Sequence, residues 1–244
     1  MAGSLGERGS FTDTGVLAVA MALLVILATT FYLIYRLLTK KASDTVLIVG
    51  LSDSGKTQVF SKIANKNAEP VTYTSLEENY VELDIKGRPL KIVDFPGAER
   101  LRKQLVEKWL RKERAALKKI VFVVDSATFS KRARDVAEFL YDVALESARK
   151  KVFQIPIVVA CNKQDLSLAK TQQVISNTLE KEIGLINKSR AAALTTTDGS
   201  SNNRTLTETA DSFQWADLPK PVEFVVCSAS GEPGLDELRA VVKE

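Results

Sequence analysis

The chain has 244 residues, of which 45% are apolar, and a formal net charge of +4. This charge does not favour a protein that binds specific nucleic-acid sequences, because such proteins contact many phosphates through a strongly basic face. The chain contains no histidine and only two cysteines, Cys161 and Cys227. These counts exclude a hydrolase built on a Ser–His or Cys–His pair, and two distant cysteines do not make a zinc site.

The first predicted element is a membrane-spanning helix. Residues 14–35 carry no charge and are mostly Val, Leu, Ala, Ile and aromatic residues. At about 1.5 Å per residue they make a helix of roughly 33 Å, enough to cross a hydrocarbon core about 30 Å thick. A cleaved signal and a buried core helix are the alternatives, but a signal has a basic start and a shorter apolar run. We therefore predict a transmembrane helix over residues 14–38.

The charges beside this span predict its orientation. Three basic residues follow the span closely, whereas only Arg8 precedes it. Because an excess of Lys and Arg marks the cytoplasmic side, we expect residues 1–13 to form a short non-cytosolic N-terminus. Residues 39–43 form a basic linker, and residues 44–244 have the size of one cytosolic globular domain.

The rest of the chain alternates strand-like and helix-like segments. Buried strands are predicted at 46–49, 90–93, 120–124, 155–160 and 222–226, and a half-covered strand at 80–85 that a tight turn joins to the next strand in antiparallel fashion. Helices are predicted at 56–65, 101–118, 133–149, 168–183 and 235–243. This pattern predicts an α/β fold, a three-layer sandwich around a mostly parallel six-stranded sheet, with ligands at the carboxyl ends of the strands.

Residues 50–57, with the sequence GLSDSGKT, form a phosphate-binding loop between the first strand and the following helix. A glycine-rich turn in this position directs several backbone N–H groups and the positive end of the helix dipole at one point. Gly50 and Gly55 permit the turns, Lys56 supplies charge to the terminal phosphates, and Thr57 offers its hydroxyl to Mg²⁺. At Ser52, Asp53 and Ser54 the loop would bind through its main chain, so these side chains are tolerated.

A second motif, DFPG at residues 94–97, follows another predicted strand. The Asp94 carboxylate can hold Mg²⁺ through a water molecule, and the Gly97 N–H can contact a γ-phosphate. Such a quartet is common by chance, and a plain turn is the alternative. Its position after a buried strand, downstream of the phosphate loop, favours the functional interpretation.

The sequence NKQD at residues 162–165 predicts which nucleotide base the site binds. The Asp165 carboxylate can accept hydrogen bonds from both the ring N–H and the exocyclic amino group of guanine, a pair that adenine does not offer. Lys163 can lay its aliphatic stem over the base, and Asn162 can tie this loop to the phosphate loop. After the last strand, the backbone N–H groups of Ser228 and Ala229 can bind the guanine carbonyl oxygen. These motifs predict GTP or GDP with Mg²⁺ as ligands.

These four elements, in this order, resemble the small GTPases of the Ras superfamily, and the resemblance covers essentially all of residues 44–244. The phosphate loop and the NKQD quartet are most similar to the ADP-ribosylation-factor branch. Together with one N-terminal span, five stretches resemble the family of signal recognition particle receptor beta subunits: residues 53–57, 94–97, 122–126, 135–141 and 160–165.

The resemblance implies a location and a partner. It places the chain in the endoplasmic reticulum membrane as a single-pass protein, with a lumenal N-terminus and a cytosolic G domain. In its GTP form the protein would hold the N-terminal domain of the receptor alpha subunit for cotranslational protein targeting. The resemblance also assigns Thr74 as the switch threonine for Mg²⁺ and the γ-phosphate, with Thr72 as the nearby alternative. An Arf-like trafficking GTPase that cycles catalytically and a constitutive membrane scaffold with structural nucleotide remain as alternative functions.

One residue departs from the superfamily pattern. Active members have a glutamine after the second switch glycine, and relatives of this family often have a histidine, whereas this chain has Ala98. A methyl group cannot orient the attacking water, so we expect very slow intrinsic hydrolysis and assign no catalytic residue.

Two segments carry less specific patterns. Residues 99–119 contain nine Lys or Arg against three Glu, interleaved with apolar residues. We interpret them as a switch-region helix with a solvated basic face, and that face is alternatively a surface for a partner or for anionic lipid. Residues 189–212 are rich in Thr, Ser, Asn and Ala and predict a flexible insertion.

Overall fold

The computed structural model describes residues 10–38, 44–68, 77–149, 154–195, 205–207 and 213–244. The chain divides into two units, residues 1–42 and residues 43–244. The first unit contains helix α1, Ser10–Leu38. Its segment Gly15–Leu33 has a mean hydropathy of 2.5, so among the described helices this one is long and apolar enough to cross a membrane.

The second unit is a six-stranded sheet flanked by helices. The strands are β1 (Thr45–Gly50), β2 (Asn79–Ile85), β3 (Arg88–Asp94), β4 (Leu117–Asp125), β5 (Ile157–Asn162) and β6 (Val222–Val226). The helices are α2 (Lys56–Ala64), α3 (Arg102–Leu105), α4 (Phe129–Ala148), α5 (Gln172–Thr195) and α6 (Asp236–Lys243). The strand order is β2-β3-β1-β4-β5-β6. Only the β2–β3 pair is antiparallel within this sheet, which confirms the predicted mostly parallel α/β fold.

The sheet is covered on both faces, which explains why β1 is a continuous apolar run. Leu47 and Val49 pack into the core cluster that contains residues of α4 and α5. Val46 and Ile48 pack into the cluster on the other face, with residues of α2 and α6. All four side chains are at most 1% exposed. Buried strands of a parallel sheet need apolar residues at every position, and β1 meets this requirement.

The region predicted as one helix over residues 101–118 is not a single helix, so that prediction is wrong. A 3₁₀ turn at Glu99–Leu101 leads into α3, a π-helical segment spans Val106–Lys112, and a second 3₁₀ turn at Arg114–Ala116 precedes β4. The π-helical segment, whose turns are wider than those of a regular α-helix, has Trp109 and Leu110 buried in the core, and the Trp109 indole is held by a hydrogen bond to Glu78.

Several basic residues of this region pair within the fold rather than face solvent. The Arg114 guanidinium is buried and donates hydrogen bonds to the carbonyl oxygens of Glu146 and Ser147 at the end of α4. Glu78, next to the start of β2, accepts a hydrogen bond from the Trp109 indole N–H at 2.9 Å and pairs with the Lys108 ammonium. The predicted solvated basic face is therefore smaller than the composition of the segment indicates.

Helix α5 is longer than predicted and runs to Thr195, into the segment interpreted as an insertion from residue 189. Part of that segment also packs on the domain. The Leu206 N–H donates to Asn187 Oδ1 at 2.9 Å and to the Tyr141 hydroxyl at 3.2 Å. Helix α5 therefore overlaps the start of the predicted insertion, and residues 196–204 and 208–212 of that insertion lie outside the described residues.

The buried Tyr141 hydroxyl generates a prediction about stability. Tyr141→Phe is expected to lower the free energy of unfolding by about 1–2 kcal/mol, because the hydroxyl that donates to Asn187 Oδ1 at 2.9 Å is lost. Urea unfolding of the detergent-solubilised chain measures this change, and amide exchange at Leu206 should accelerate. Tyr80→Phe is the matched control, since Tyr80 is 66% exposed, and should change stability by less than about 0.5 kcal/mol. Equal effects of the two substitutions would contradict the assigned role.

Candidate functional site

The loop at residues 50–57 connects β1 to α2 and adopts a conformation that requires its glycines. Gly55 has a φ of 86°, and a Cβ there would overlap the side-chain amide of Asn162. A Cβ at Gly50 would overlap the carbonyl oxygen of Val123 on β4. Asp53 also has a positive φ, 65°, a conformation that Asp tolerates better than most residues. The loop therefore lies tightly against β4 and the end of β5.

Lys56, the first residue of α2, is buried, and its ammonium donates a hydrogen bond to the Leu51 carbonyl oxygen at 2.7 Å. Burial lowers the pKa of Lys56 to about 8, and nearby Arg132 adds to this effect. The carboxylates of Asp94 and Asp53 oppose it. A buried cation with only partial compensation favours an anion beside it.

Thr57 and Asp94 form a pair of oxygen donors next to Lys56. The Thr57 hydroxyl donates to Asp94 Oδ2 at 2.8 Å, and Asp94 is 1% exposed. Burial raises the pKa of Asp94, although the Thr57 hydrogen bond and the Lys56 charge oppose the rise. Among the described residues, Asp94 Oδ1 has no hydrogen-bond partner. Because a hydroxyl and a carboxylate are ligands that Mg²⁺ accepts, directly or through water, these residues fit a magnesium ion.

The turn after Asp94 lies directly against the phosphate loop. A Cβ at Gly97 would lie 2.5 Å from Lys56 Nζ and 2.7 Å from the backbone nitrogen of Ser52. Only a glycine permits this approach, so the two motifs share one cradle. Ala98 follows as a half-buried residue with no polar side-chain atom. Thr74 and the competing Thr72 lie outside the described residues.

Asn162, the last residue of β5, connects two loops through one side chain. Its Nδ2 donates to the Ser54 carbonyl oxygen at 2.9 Å, and its Oδ1 accepts a hydrogen bond from the Ala229 N–H at 3.0 Å. Asn162 is 1% exposed. The contact between Asn162 and the phosphate loop is the one that the sequence predicted, and the link to the loop after β6 adds to it.

Lys163, the first residue after β5, makes a second link to the phosphate loop. Its ammonium donates to the Asp53 carbonyl oxygen at 2.8 Å and to Asp125 Oδ2 at 2.7 Å. Burial alone would raise the pKa of Asp125, but Lys163 and the N–H of Thr128 hold that pKa below its ordinary value. Sequence reasoning assigned Asp125 no role, although a carboxylate at the end of β4 follows the same rule that identified Asp94.

Asp165 stands at the exposed side of the cradle and is held by the loop after β6. The Ser228 hydroxyl donates to Asp165 Oδ1 at 2.5 Å. Ser228 Oγ in turn accepts hydrogen bonds from the N–H groups of Gly231, at 2.9 Å, and Ser230, at 3.2 Å. A carboxylate fixed in this way and open to solvent can accept paired donors from a ligand.

Comparison with known proteins agrees with this architecture. Residues 41–222 match the sequence model of the signal recognition particle receptor beta subunit family. The chain is 38% identical over 235 residues to the signal recognition particle receptor subunit beta of Mus musculus, a match that covers 95% of this chain and 85% of the relative. Its human counterpart is 39% identical over 230 residues, with coverages of 91% and 82%.

Solved structures share the fold. The structure described as that of the mammalian SRP receptor superposes with a TM-score of 0.68 at 35% identity, covering 82% of this chain and 98% of that one. A Chaetomium thermophilum protein, described as the signal recognition particle receptor SRb-GTP/SRX complex, superposes with a TM-score of 0.64 at 23% identity and coverages of 83% and 98%. The chain belongs to the signal recognition particle receptor beta subunit family, a branch of the small GTPases.

Proposed function

We propose that this chain binds guanine nucleotide with Mg²⁺. The observation that carries the proposal is that Asn162 joins the phosphate loop to the loop after β6, so that the phosphate-binding and guanine-binding motifs form one cradle. The phosphates would be held by Gly50, Ser52, Asp53, Ser54, Gly55, Lys56, Thr57, Thr74 and Gly97. Guanine would be held by Asn162, Lys163, Asp165, Ser228 and Ala229, and Mg²⁺ by Thr57, Thr74 and, through water, Asp94. Bound Mg²⁺ supplies neutralisation of phosphate charge.

The proposed output is partner binding at a membrane. In its GTP form the protein would hold the N-terminal domain of the signal recognition particle receptor alpha subunit at the endoplasmic reticulum, with the N-terminus lumenal and the G domain cytosolic. Family membership and the apolar helix Gly15–Leu33 support this proposal. The Chaetomium thermophilum relative, described as an SRb-GTP/SRX complex, supports the partner.

The nucleotide would act through the two segments that carry Thr74 and Gly97. Both residues are expected to contact the γ-phosphate, which GDP lacks, so the surface that these segments form would depend on GTP. Contact of the remaining exposed basic residues, such as Lys103 and Lys112, with anionic lipid is a further part of this proposal.

Asp165 provides the test of the base. Asp165→Asn is expected to weaken GTP binding by about 100-fold or more, because the amide no longer accepts both guanine donors. The same substitution should improve binding of xanthosine triphosphate, whose base presents an oxygen where guanine has its amino group. Calorimetry on the purified chain measures both affinities. Asp135→Asn, at an exposed position of α4, is the matched control and should bind GTP normally. Equal affinity of the parent chain for GTP and ATP would contradict the proposal.

Ala98 provides the test of hydrolysis. Single-turnover GTP hydrolysis by the isolated chain is expected below about 10⁻⁴ s⁻¹, because no side chain at this position orients water. Ala98→Gln should raise the rate by about tenfold or more. Glu99→Gln should leave it unchanged, since a second anion beside the γ-phosphate is an unfavourable base. Fast hydrolysis by the parent chain would favour a catalytically cycling trafficking GTPase instead.

Partner capture tests the switch. From detergent-solubilised membranes, the GTP-loaded chain is expected to retain the receptor alpha subunit at least about tenfold better than the GDP-loaded chain, a difference typical of nucleotide-controlled coupling. Lys56→Ala should abolish the difference, whereas Lys181→Ala, at an exposed position of α5, should preserve it. If Lys56→Ala folds and captures the partner as well as the parent chain, the nucleotide is structural and the chain is a constitutive scaffold.

A further inference from the structure

Arg132 contacts the phosphate loop from outside every motif of the site. It lies in the first turn of α4, which begins at Phe129. Its Nη1 donates a hydrogen bond to the Ser52 carbonyl oxygen at 2.9 Å, across a separation of 80 residues in the chain. The side chain is half-buried, so this hydrogen bond lies partly sheltered from water.

Ser52 lies at the end of the phosphate loop that is next to Gly97. Its backbone nitrogen is 2.7 Å from the position that a Cβ on Gly97 would occupy, and Lys56 Nζ is 2.5 Å from the same position. Gly97 is the residue proposed to contact the γ-phosphate, the group that distinguishes GTP from GDP. Arg132 therefore attaches to the loop at the end where the two nucleotides would differ.

Arg132 also adds positive charge to this end of the cradle. It lies close enough to Lys56 for the two cations to repel each other, while Asp94 and Asp53 attract the Lys56 ammonium. A guanidinium stays protonated at any pH relevant to the protein and carries five N–H donors, of which the hydrogen bond to Ser52 uses one. A permanent second cation beside a buried lysine raises the electrostatic free energy of the site when no anion is bound. The ligand with the most negative charge offsets this repulsion best.

We propose that Arg132 is a positioning and specificity-determining residue that raises the affinity of the site for a nucleoside triphosphate relative to the diphosphate. It holds the Ser52 end of the loop through the carbonyl hydrogen bond and places a second positive charge at the γ-phosphate end. This inference rests on the proposed guanine-nucleotide binding. It concerns selection between two ligands of the same site and requires no direct contact between Arg132 and the nucleotide.

The chain offers a matched control on the same helix. Arg134 lies two residues further along α4 and forms an ion pair with Glu138 at 3.2 Å, with 68% of its side chain exposed. Arg134→Ala removes the same charge from the same helix without touching the phosphate loop. Two further variants separate the two roles of Arg132, because Arg132→Lys keeps the charge and Arg132→Gln keeps a donor for the Ser52 carbonyl oxygen without the charge.

The experiment measures the affinities of the full chain, in detergent micelles with Mg²⁺, for GDP and for a non-hydrolysable GTP analogue by calorimetry. Arg132→Ala and Arg132→Gln are expected to weaken binding of the GTP analogue by about 5- to 20-fold and binding of GDP by less than about 3-fold, a size typical of one partly sheltered charge near a phosphate. Arg132→Lys should keep the ratio of the two affinities within about 3-fold of the parent value, and Arg134→Ala should leave it unchanged.

Each other outcome overturns the inference. Equal losses for both nucleotides in Arg132→Ala would show a purely structural role, and unchanged affinities for both nucleotides would show no role. A loss in Arg132→Lys as large as in Arg132→Ala would show that charge does not determine the selectivity. If the parent chain binds neither nucleotide, both this inference and the proposed function fail. Normal binding by the parent chain with an unchanged ratio in the variants overturns this inference alone. Thermal unfolding of each nucleotide-free variant checks that it is folded.

Discussion

The candidate site depends on the side-chain amide of Asn162. This single group donates to the phosphate loop through Ser54 and accepts from the loop after β6 through Ala229. A carboxylate could not donate, an ammonium could not accept, and a smaller side chain would reach neither loop. Because the amide is buried, each of its hydrogen bonds is protected from exchange with water. The absence of a side chain at Gly55 gives the amide the space it occupies, so a donor, an acceptor and a glycine together determine how the loops meet.

Further polar side chains also connect the loops of the site. The Lys163 ammonium donates to the Asp53 carbonyl oxygen and to the Asp125 carboxylate. The Thr57 hydroxyl donates to the Asp94 carboxylate, so polar contacts within the chain itself connect the loops. Preorganised donors and acceptors lower the entropy that a ligand must lose on binding. Lys56 is the exception, because its ammonium is buried with only partial compensation. The loops therefore form a frame around the buried Lys56 ammonium, which needs an anionic partner.

Most of the fold and much of the site could be predicted from the sequence because the signals are local. Five strands followed from apolar runs and the sixth, β2, from an alternating pattern, and the cradle followed from motifs placed at the ends of β1, β3 and β5. The interpretation of residues 101–118 failed because tertiary contacts that no local pattern shows, such as the hydrogen bond from Trp109 to Glu78, override a strong local preference for a regular helix. Arg132 could not be identified from the sequence, since its contact with Ser52 joins residues far apart in the chain and belongs to no motif.

Glu78 has a consequence for how the domain can rearrange. Its carboxylate receives the indole N–H of Trp109 and the ammonium of Lys108, and it stands immediately before β2. The Trp109 side chain is only 3% exposed, so pulling Glu78 away would leave a buried donor unsatisfied at a cost of about 1–3 kcal/mol. A displacement of the backbone at Glu78 must therefore either meet this cost or drag the π-helical segment with it. The start of β2 and the π-helical segment, which are distant in sequence, are therefore coupled and move together.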